Sequence, residues 1–360
     1  MDLQTAIDLD ATTNRRVVLR HRPEGLLTHD DVEIQDGGPL PDLEDGEALL
    51  AVEWIGIDAT VRTWLSKAEG YLPAVEVGEP VRASGIGRVV ATRCPTFPLG
   101  HRVYGLPGWQ HYGVVRDDPL ATHLGPEVDA PAMLSVHGAT GLTAYVGMVD
   151  VAAVREGETV VVSAAAGATG SLAAQIAKIK GCRVVGICGS PAKARWLLDD
   201  LGLDGAIDHR TEDVHARLRA LCPDRIDVYF DNVGGPILDA VLDRLAMHAR
   251  VVLCGAIAIY NEHGRPPGPS NYFQLINRRA RMEGFLSLDH WDRFPEVAAT
   301  LGEWMDEGRL TYRTEVFEGL ESAVDALNAL FTGANTGKTV SRLCLSWRSR
   351  DVEVLDLKKT

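Results

Sequence analysis

The stretch of this chain best suited to chemistry is Val160-Val161-Val162-Ser163-Ala164-Ala165-Ala166-Gly167-Ala168-Thr169-Gly170. Its β-branched run reads as a buried strand, a glycine-containing turn follows, and a helix begins at once. The helix shows an apolar stripe at Leu172, Ile176 and Ile179, and Gly181 is its natural stop. Gly167 keeps a Cβ out of the path of a pyrophosphate, and Gly170 lets helix and strand pack closely. The helix N-terminus supplies oriented N–H donors and a partial positive charge. The expected cradle is therefore Gly167, Ala168, Thr169 and Gly170. Ala165 stands where the first glycine of G-x-G-x-x-G would fall, so the reading rests on the strand–turn–helix context and on the further βα units. The bland alternative is a tight turn that holds no ligand.

The next strand decides which dinucleotide fits. An NAD site places an acidic residue about 20 residues on, where it holds the ribose hydroxyls. Here that position reads Gly186-Ile187-Cys188-Gly189-Ser190-Pro191-Ala192-Lys193, without an acid. Ser190 is suited to cap a helix and Pro191 to its first position. Lys193, in the first turn, gains nothing from the helix dipole because like signs meet. A 2′-phosphate partner explains it better than a solvated surface lysine does, so NADP is the expected cofactor.

Metal chemistry finds little to work with. Zinc-dependent dehydrogenases need Cys, His and Glu ligands in the amino-terminal part and a lobe of closely spaced cysteines. Only Cys94 lies there, and His101 has no partner at ligand spacing and reads as a surface or loop histidine. No metal is expected. The six cysteines form no C-x-x-C pair and read as buried reduced thiols, with Cys254 placed in a strand by the run Val251-Val252-Leu253-Cys254. A formal net charge of −14 argues against nucleic acid and against an anionic membrane surface. No apolar run reaches the length of a membrane span, and the segment Met1 to Arg16 is polar rather than signal-like, so cytoplasmic residence is the expectation.

The elements that must position these residues divide the 360-residue chain in two. The first ~135 residues carry short apolar runs between Gly/Pro turns: Arg16–Arg20, Glu47–Trp54, Gly85–Thr92 and His111–Val115. From Thr159 on, strands alternate with helices: Val160–Ala164, Arg183–Cys188, Ala206–Asp208, Ile226–Phe230, Val251–Gly255 and Met282–Leu286. That alternation predicts an α/β fold, a Rossmann doubly wound parallel sheet beside a β-rich domain. A helix at Ser322–Phe331 and a strand at Thr339–Leu345 follow, and Ser346 to Thr360 reads as an exposed extension. The expected boundaries are 1–135, 136–302, and 303–360 returning to the first domain.

With these residues in view, the chain resembles the zinc-free branch of the medium-chain dehydrogenase/reductases, whose members include prostaglandin reductases, plant double-bond reductases and bacterial curcumin reductases. The resemblance lies in Asn14–Arg20, Gly108-Trp109-Gln110, Gly141-Leu142-Thr143-Ala144-Tyr145, Val162–Gly167, Phe230-Asp231-Asn232-Val233-Gly234-Gly235, Cys254–Ile257 with Tyr260-Asn261, Pro266–Pro269 and Gly333–Lys338. It implies a GroES-like first domain, a homodimer, and NADPH-dependent reduction of the carbon–carbon double bond of enones or enals. It also implies that Asn232, Cys254, Gly255, Ala256, Ile257, Tyr260, Phe285, Ser287 and Asn335 line the cofactor, with Lys193 on the 2′-phosphate. The family tyrosine near that phosphate is His209 here, followed by Arg210. A family Val-Asp-Pro-Tyr-Met-Arg-Gly stretch is replaced by Ile57-Asp58-Ala59-Thr60-Val61-Arg62-Thr63, and Leu-Gly-Met-Pro-Gly by His137–Gly141.

Hydride reaching the β-carbon of an enone leaves an enolate whose oxygen needs a donor. Tyr260, after the fifth expected Rossmann strand, is the expected donor, and His137 is a second candidate acid. A cofactor-packing tyrosine, a quinone reductase and a non-catalytic NADPH-binding protein are the readings left open.

Overall fold

The computed structural model describes residues 2–67, 70–262, 264 and 266–343; the expected extension at Ser346–Thr360 lies outside them. Contacts divide the chain into two compact units. One comprises residues up to Leu134, Val316–Leu330 and those from Thr339 on, and the other Ser135–Glu315 and Phe331–Lys338.

The second unit is built on six parallel strands: β1 (Thr159–Val162), β2 (Arg183–Cys188), β3 (Gly205–Asp208), β4 (Ile226–Asp231), β5 (Leu245–Leu253) and β6 (Arg281–Gly284). Their spatial order is β3-β2-β1-β4-β5-β6, with every pairing parallel. This is the Rossmann order, which reverses direction between β1 and β4, where ligands of open α/β sheets bind. Helices cover both faces because the strands carry apolar side chains on both: Val160, Val161 and Val162 are all fully buried. On one face Val161, Val185, Ile187, Ile207, Tyr229 and Val251 form a single core with Leu218 and Val241.

Helix α1 (Ala168–Ile179) follows β1 as expected, with Leu172 and Ile176 buried and Gly181 at φ +81° beyond its end. Helix α2 (Pro191–Arg195) starts on Ser190, whose Oγ accepts the Lys193 N–H at 3.3 Å. β5 stops at Leu253, so Cys254 is not a strand residue. It begins the turn beyond the strand, its N–H donating to the Asp231 carbonyl, because β4 ends there and offers no further ladder. The 13-residue helix α3 (Phe294–Asp306) has no counterpart among the expected elements.

The first unit holds an antiparallel sheet whose central strand, Glu47–Ile57, pairs with Gly85–Thr92, Tyr112–Arg116 and Lys338–Arg342. Its alternation serves two cores: Ala48 and Leu50 join Phe97 and Val103, while Leu49 and Ala51 join Val90 and Ala91. The strands Val32–Pro39, Arg102–Gly105 and Thr122–Gly125 carry too little apolar alternation to be read beforehand.

Candidate functional site

At the carboxyl end of β1 the cradle is made of main chain. Gly167 is the N-cap of α1 and offers no capping side chain, so the first helical amides, Ala168 to Gly170, face outward from an uncapped end. A Cβ on Gly170 would lie 2.3 Å from the Ala164 carbonyl oxygen, which forces glycine there. Ala164 itself sits at φ +46°, so the tight bend falls one residue before the position that aligns with the first motif glycine. A second strap closes on this turn: Gly337 N–H donates to the Ala166 carbonyl at 2.8 Å, and Gly167 bridges Gly337. Gly337 is at φ +71°, and a Cβ there would meet the Arg313 carbonyl oxygen at 2.0 Å. Asn335 is buried in the same strap, donating to the Gly337 carbonyl.

At the carboxyl end of β2 the material is side chains. Lys193 Nζ donates to the Gly333 carbonyl at 3.0 Å, and Arg210 donates to the neighbouring Thr332 carbonyl. A Cβ on Gly189 would meet His209 Nε2 at 3.2 Å and Arg210 Nε at 3.4 Å. Lys193, His209 and Arg210 thus gather around one small space, with Ser190 at its edge. Desolvation, then the neighbouring Arg210, lowers the pKa of His209. Desolvation also lowers that of Lys193, more than its charged neighbours alter it. Two cations and a histidine held together at that cost are of the chemistry that suits a dianion.

The third part lies past β4 and β5. Asn232 Nδ2 donates to the Ser163 carbonyl at 2.7 Å, tying this loop to the end of β1. Cys254 and Gly255 both donate to the Asp231 carbonyl, and Ile257 donates to that of Asn232. Burial pushes the Cys254 thiol up to about 12, which makes it inert as a nucleophile. Tyr260 closes the short 3₁₀ turn Ile257–Ile259, and its phenol oxygen accepts the Ala256 N–H at 3.1 Å. Asn261 Oδ1, next along, is buried without a hydrogen-bond partner. Phe285 lies against Gly147, where a Cβ would meet its ring at 2.8 Å, and Ser287 opens the 3₁₀ helix Ser287–Arg293.

An uncapped helix end behind a glycine bend, a cluster of cations and an orphaned buried acceptor together fit a phosphorylated dinucleotide. The structure brings Gly167, Ala168, Thr169 and Gly170 together with Asn335, and Lys193 with His209. Asn232, Cys254 to Ile257 and Tyr260 form the third group.

Two matches decide the family. A model described as N-terminal domain of oxidoreductase matches residues 15–122, and one described as zinc-binding dehydrogenase matches residues 168–303. The NADPH-dependent curcumin reductase of Escherichia coli is 37% identical over 92% of this chain and 97% of its own length. The chain belongs to the medium-chain dehydrogenase/reductase family. Within that family, the NADP-dependent 2-alkenal reductase of Nicotiana tabacum is 35% identical over 92% of this chain and 98% of its own. A crystal structure of CurA from Vibrio vulnificus in complex with NADPH superposes with a TM-score of 0.87 at 36% identity, covering 92% of this chain and 99% of that one. Among the described residues no group of three or more His, Cys, Asp or Glu is placed to hold a metal ion.

Some residues turn out differently from their sequence reading. His101, in the loop before a strand, has its Nδ1 2.8 Å from His123 Nε2 with the rings stacked, a contact that the 22-residue spacing does not announce. His137 contacts the Ala298 carbonyl of α3 at 3.3 Å, and a Cβ on Gly302 would lie 3.3 Å from its ring, so it packs against that helix. Two residues escaped notice. Asp231 was visible only as the neighbour of Asn232. Tyr71, in the first unit, hydrogen-bonds Thr60 Oγ1 at 2.6 Å, beside Trp64. Desolvation raises the Tyr71 pKa above the ordinary phenol value, although the residue is 44% exposed.

Proposed function

We propose that this family member reduces the carbon–carbon double bond of α,β-unsaturated ketones or aldehydes with NADPH. Names of relatives support the class: curcumin reductase, 2-alkenal reductase and an NADPH complex. The observation that carries the chemistry is Tyr260, whose phenol oxygen accepts the Ala256 N–H just past the carboxyl end of β5. An accepted hydrogen bond withdraws charge from the phenol oxygen and makes its O–H a stronger donor.

The bound cofactor supplies the hydride. The chain's own residues do the rest. Gly167 to Gly170 and the uncapped end of α1 hold the pyrophosphate, while Lys193, His209 and Arg210 hold the 2′-phosphate. Asn232, Cys254 to Ile257, Phe285, Ser287 and Asn335 line the remainder. Tyr260 donates to the substrate carbonyl oxygen as it becomes an enolate, where a donor placed beforehand is worth most. Thr60 and Tyr71 are assigned to substrate selection, on their 2.6 Å hydrogen bond at the place where the family stretch is replaced.

The test is NADPH oxidation across a panel of enones, enals and quinones, with the products identified. Saturated ketones or aldehydes are expected. Turnover of quinones alone, or of nothing on the panel, would overturn the reading.

Cytoplasmic residence is proposed on the five described cysteines, all unpaired. A homodimer is proposed through β6, the last strand in the sheet order. In the segment that precedes it, Tyr272, Phe273 and Ile276 are 64%, 51% and 75% exposed. Antiparallel pairing about a two-fold axis at Met282 would set Arg281 against Glu283 of the partner subunit, so the edge is complementary to itself.

A further inference from the structure

Asp231 ends β4 and is 1% exposed. A carboxylate survives such burial only when its oxygens are hydrogen-bonded. Here Oδ1 accepts from Ser163 Oγ at 3.1 Å, Tyr229 Oη at 2.8 Å, and the Val233 and Gly234 amides at 2.9 Å each. Ser163 Oγ in turn accepts the Asn232 N–H at 2.9 Å. The main-chain oxygen of the same residue accepts from Cys254 at 2.9 Å and Gly255 at 3.0 Å.

Two segments therefore hang from one residue. The loop 232–234 is gathered by the carboxylate, and the turn that starts at Cys254 is gathered by the carbonyl. The segments are then tied to each other: Ile257 donates to the Asn232 carbonyl at 3.2 Å and Ala258 to that of Val233 at 3.1 Å. The turn they fix ends in Tyr260, and its fit is close, since a Cβ on Gly255 would meet Tyr260 Oη at 3.2 Å.

We propose that Asp231 is the positioning residue for Tyr260, setting the phenol through the loop 232–234 and the turn 254–258. The proposal rests on the role given to Tyr260 above. A hydrogen-bond donor acts only where the developing charge appears, so a small displacement of its oxygen lowers the rate without emptying the site. Asp231→Asn keeps the volume and removes the charge that holds four donors on one oxygen, as an amide oxygen holds them more weakly.

The experiment is a double-mutant cycle of Asp231→Asn and Tyr260→Phe, with kcat, KM for an enone and NADPH affinity measured in all four proteins. Asp231→Asn is expected to lower kcat about tenfold and to weaken NADPH binding by clearly less than that, the loops it gathers also lining the cofactor. On the Tyr260→Phe background it is expected to lower kcat by less than about twofold, because the group it positions is gone. In the protein without cofactor, amide exchange at Ile257 and Ala258 should quicken in Asp231→Asn and stay unchanged in Tyr260→Phe. Equal losses on both backgrounds would overturn the proposal while leaving the role of Tyr260 intact. An undiminished kcat in Tyr260→Phe would overturn that role, and the proposal with it. If Asp231→Asn does not fold, Ser163→Ala, which cuts the link from Asp231 to the Asn232 amide, goes through the same cycle. The expected first-background loss is then about threefold, and additivity again refutes.

Discussion

The turns after β1 and β2 lie at the same end of neighbouring parallel strands, yet they are built of different material. After β1 the donors are backbone amides at an uncapped helix, and the residues that matter are glycines. After β2 the donors are side chains: Lys193, His209 and Arg210, two of them held by the Thr332 and Gly333 carbonyls. A main-chain cradle suits what every dinucleotide shares, the pyrophosphate. A side-chain cluster binds what distinguishes one from another, and can be altered without disturbing the fold. The comparison teaches that damage to the first turn should strike all cofactors, and damage to the second only one.

The largest effect belongs to Gly170→Val. Its Cβ would collide with the Ala164 carbonyl, a backbone atom that cannot swing aside. Overpacking costs about 1–3 kcal/mol even in side-chain surroundings, and more is expected here. Binding of NADPH and NADH should both disappear in fluorescence titration, and the thermal midpoint should drop. Binding at full strength would refute the assignment of the cradle.

Tyr260→Phe comes next and stands apart from both turns. The expected loss is about tenfold to a hundredfold in kcat, since one oxyanion donor is removed and a hydroxyl of the cofactor's nicotinamide ribose would substitute in part. Affinity for NADPH should change little. A loss of affinity with kcat preserved would make Tyr260 a cofactor-packing residue.

Lys193→Ala sharpens the contrast. A charge-assisted contact is worth about 1.5–3 kcal/mol, so NADPH should bind about one to two decades more weakly. NADH should be nearly unaffected, and equal losses for both would contradict the assignment.

The smallest effect is a pH dependence. Desolvation and Arg210 keep the pKa of His209 below the ordinary value in the folded chain. The unfolded chain therefore binds the proton more readily, and this residue's contribution to stability is lost as pH falls through about 6.5. A bound dianion reverses the sign by favouring the imidazolium. NADPH should then bind about threefold more tightly at pH 6 than at pH 7.5, in excess of the change for NADH. His209→Gln should abolish that excess, as isothermal titration at the two pH values would reveal.

The same contrast explains what could be read from the chain. Rossmann strands buried on both faces announce themselves as β-branched runs, and five of the six were placed within two residues at both ends. The antiparallel sheet was read only in its most apolar strands, because edge strands such as Thr122–Gly125 face solvent and lose the pattern. Gly167, Gly170, Ser190 and Lys193 were legible because each acts through local geometry, at a turn or a cap. Asp231, Tyr71 and the His101–His123 pair were not, because their contacts are made by polar side-chain atoms, which no helical or strand periodicity marks.

The sequence by itself determined the run of Rossmann strands, the glycine bend, and the absence of an acid after β2, since these depend on neighbours a few residues away. Only the tertiary structure decided that Arg210 joins Lys193 at the Thr332–Gly333 carbonyls. It alone set Gly337 against Ala166, and hung the turn carrying Tyr260 from the Asp231 main-chain carbonyl. Those contacts join residues from 23 to 171 positions apart, and no local periodicity records them. The sheet brings strand ends together in space, and chemistry gathers where they meet.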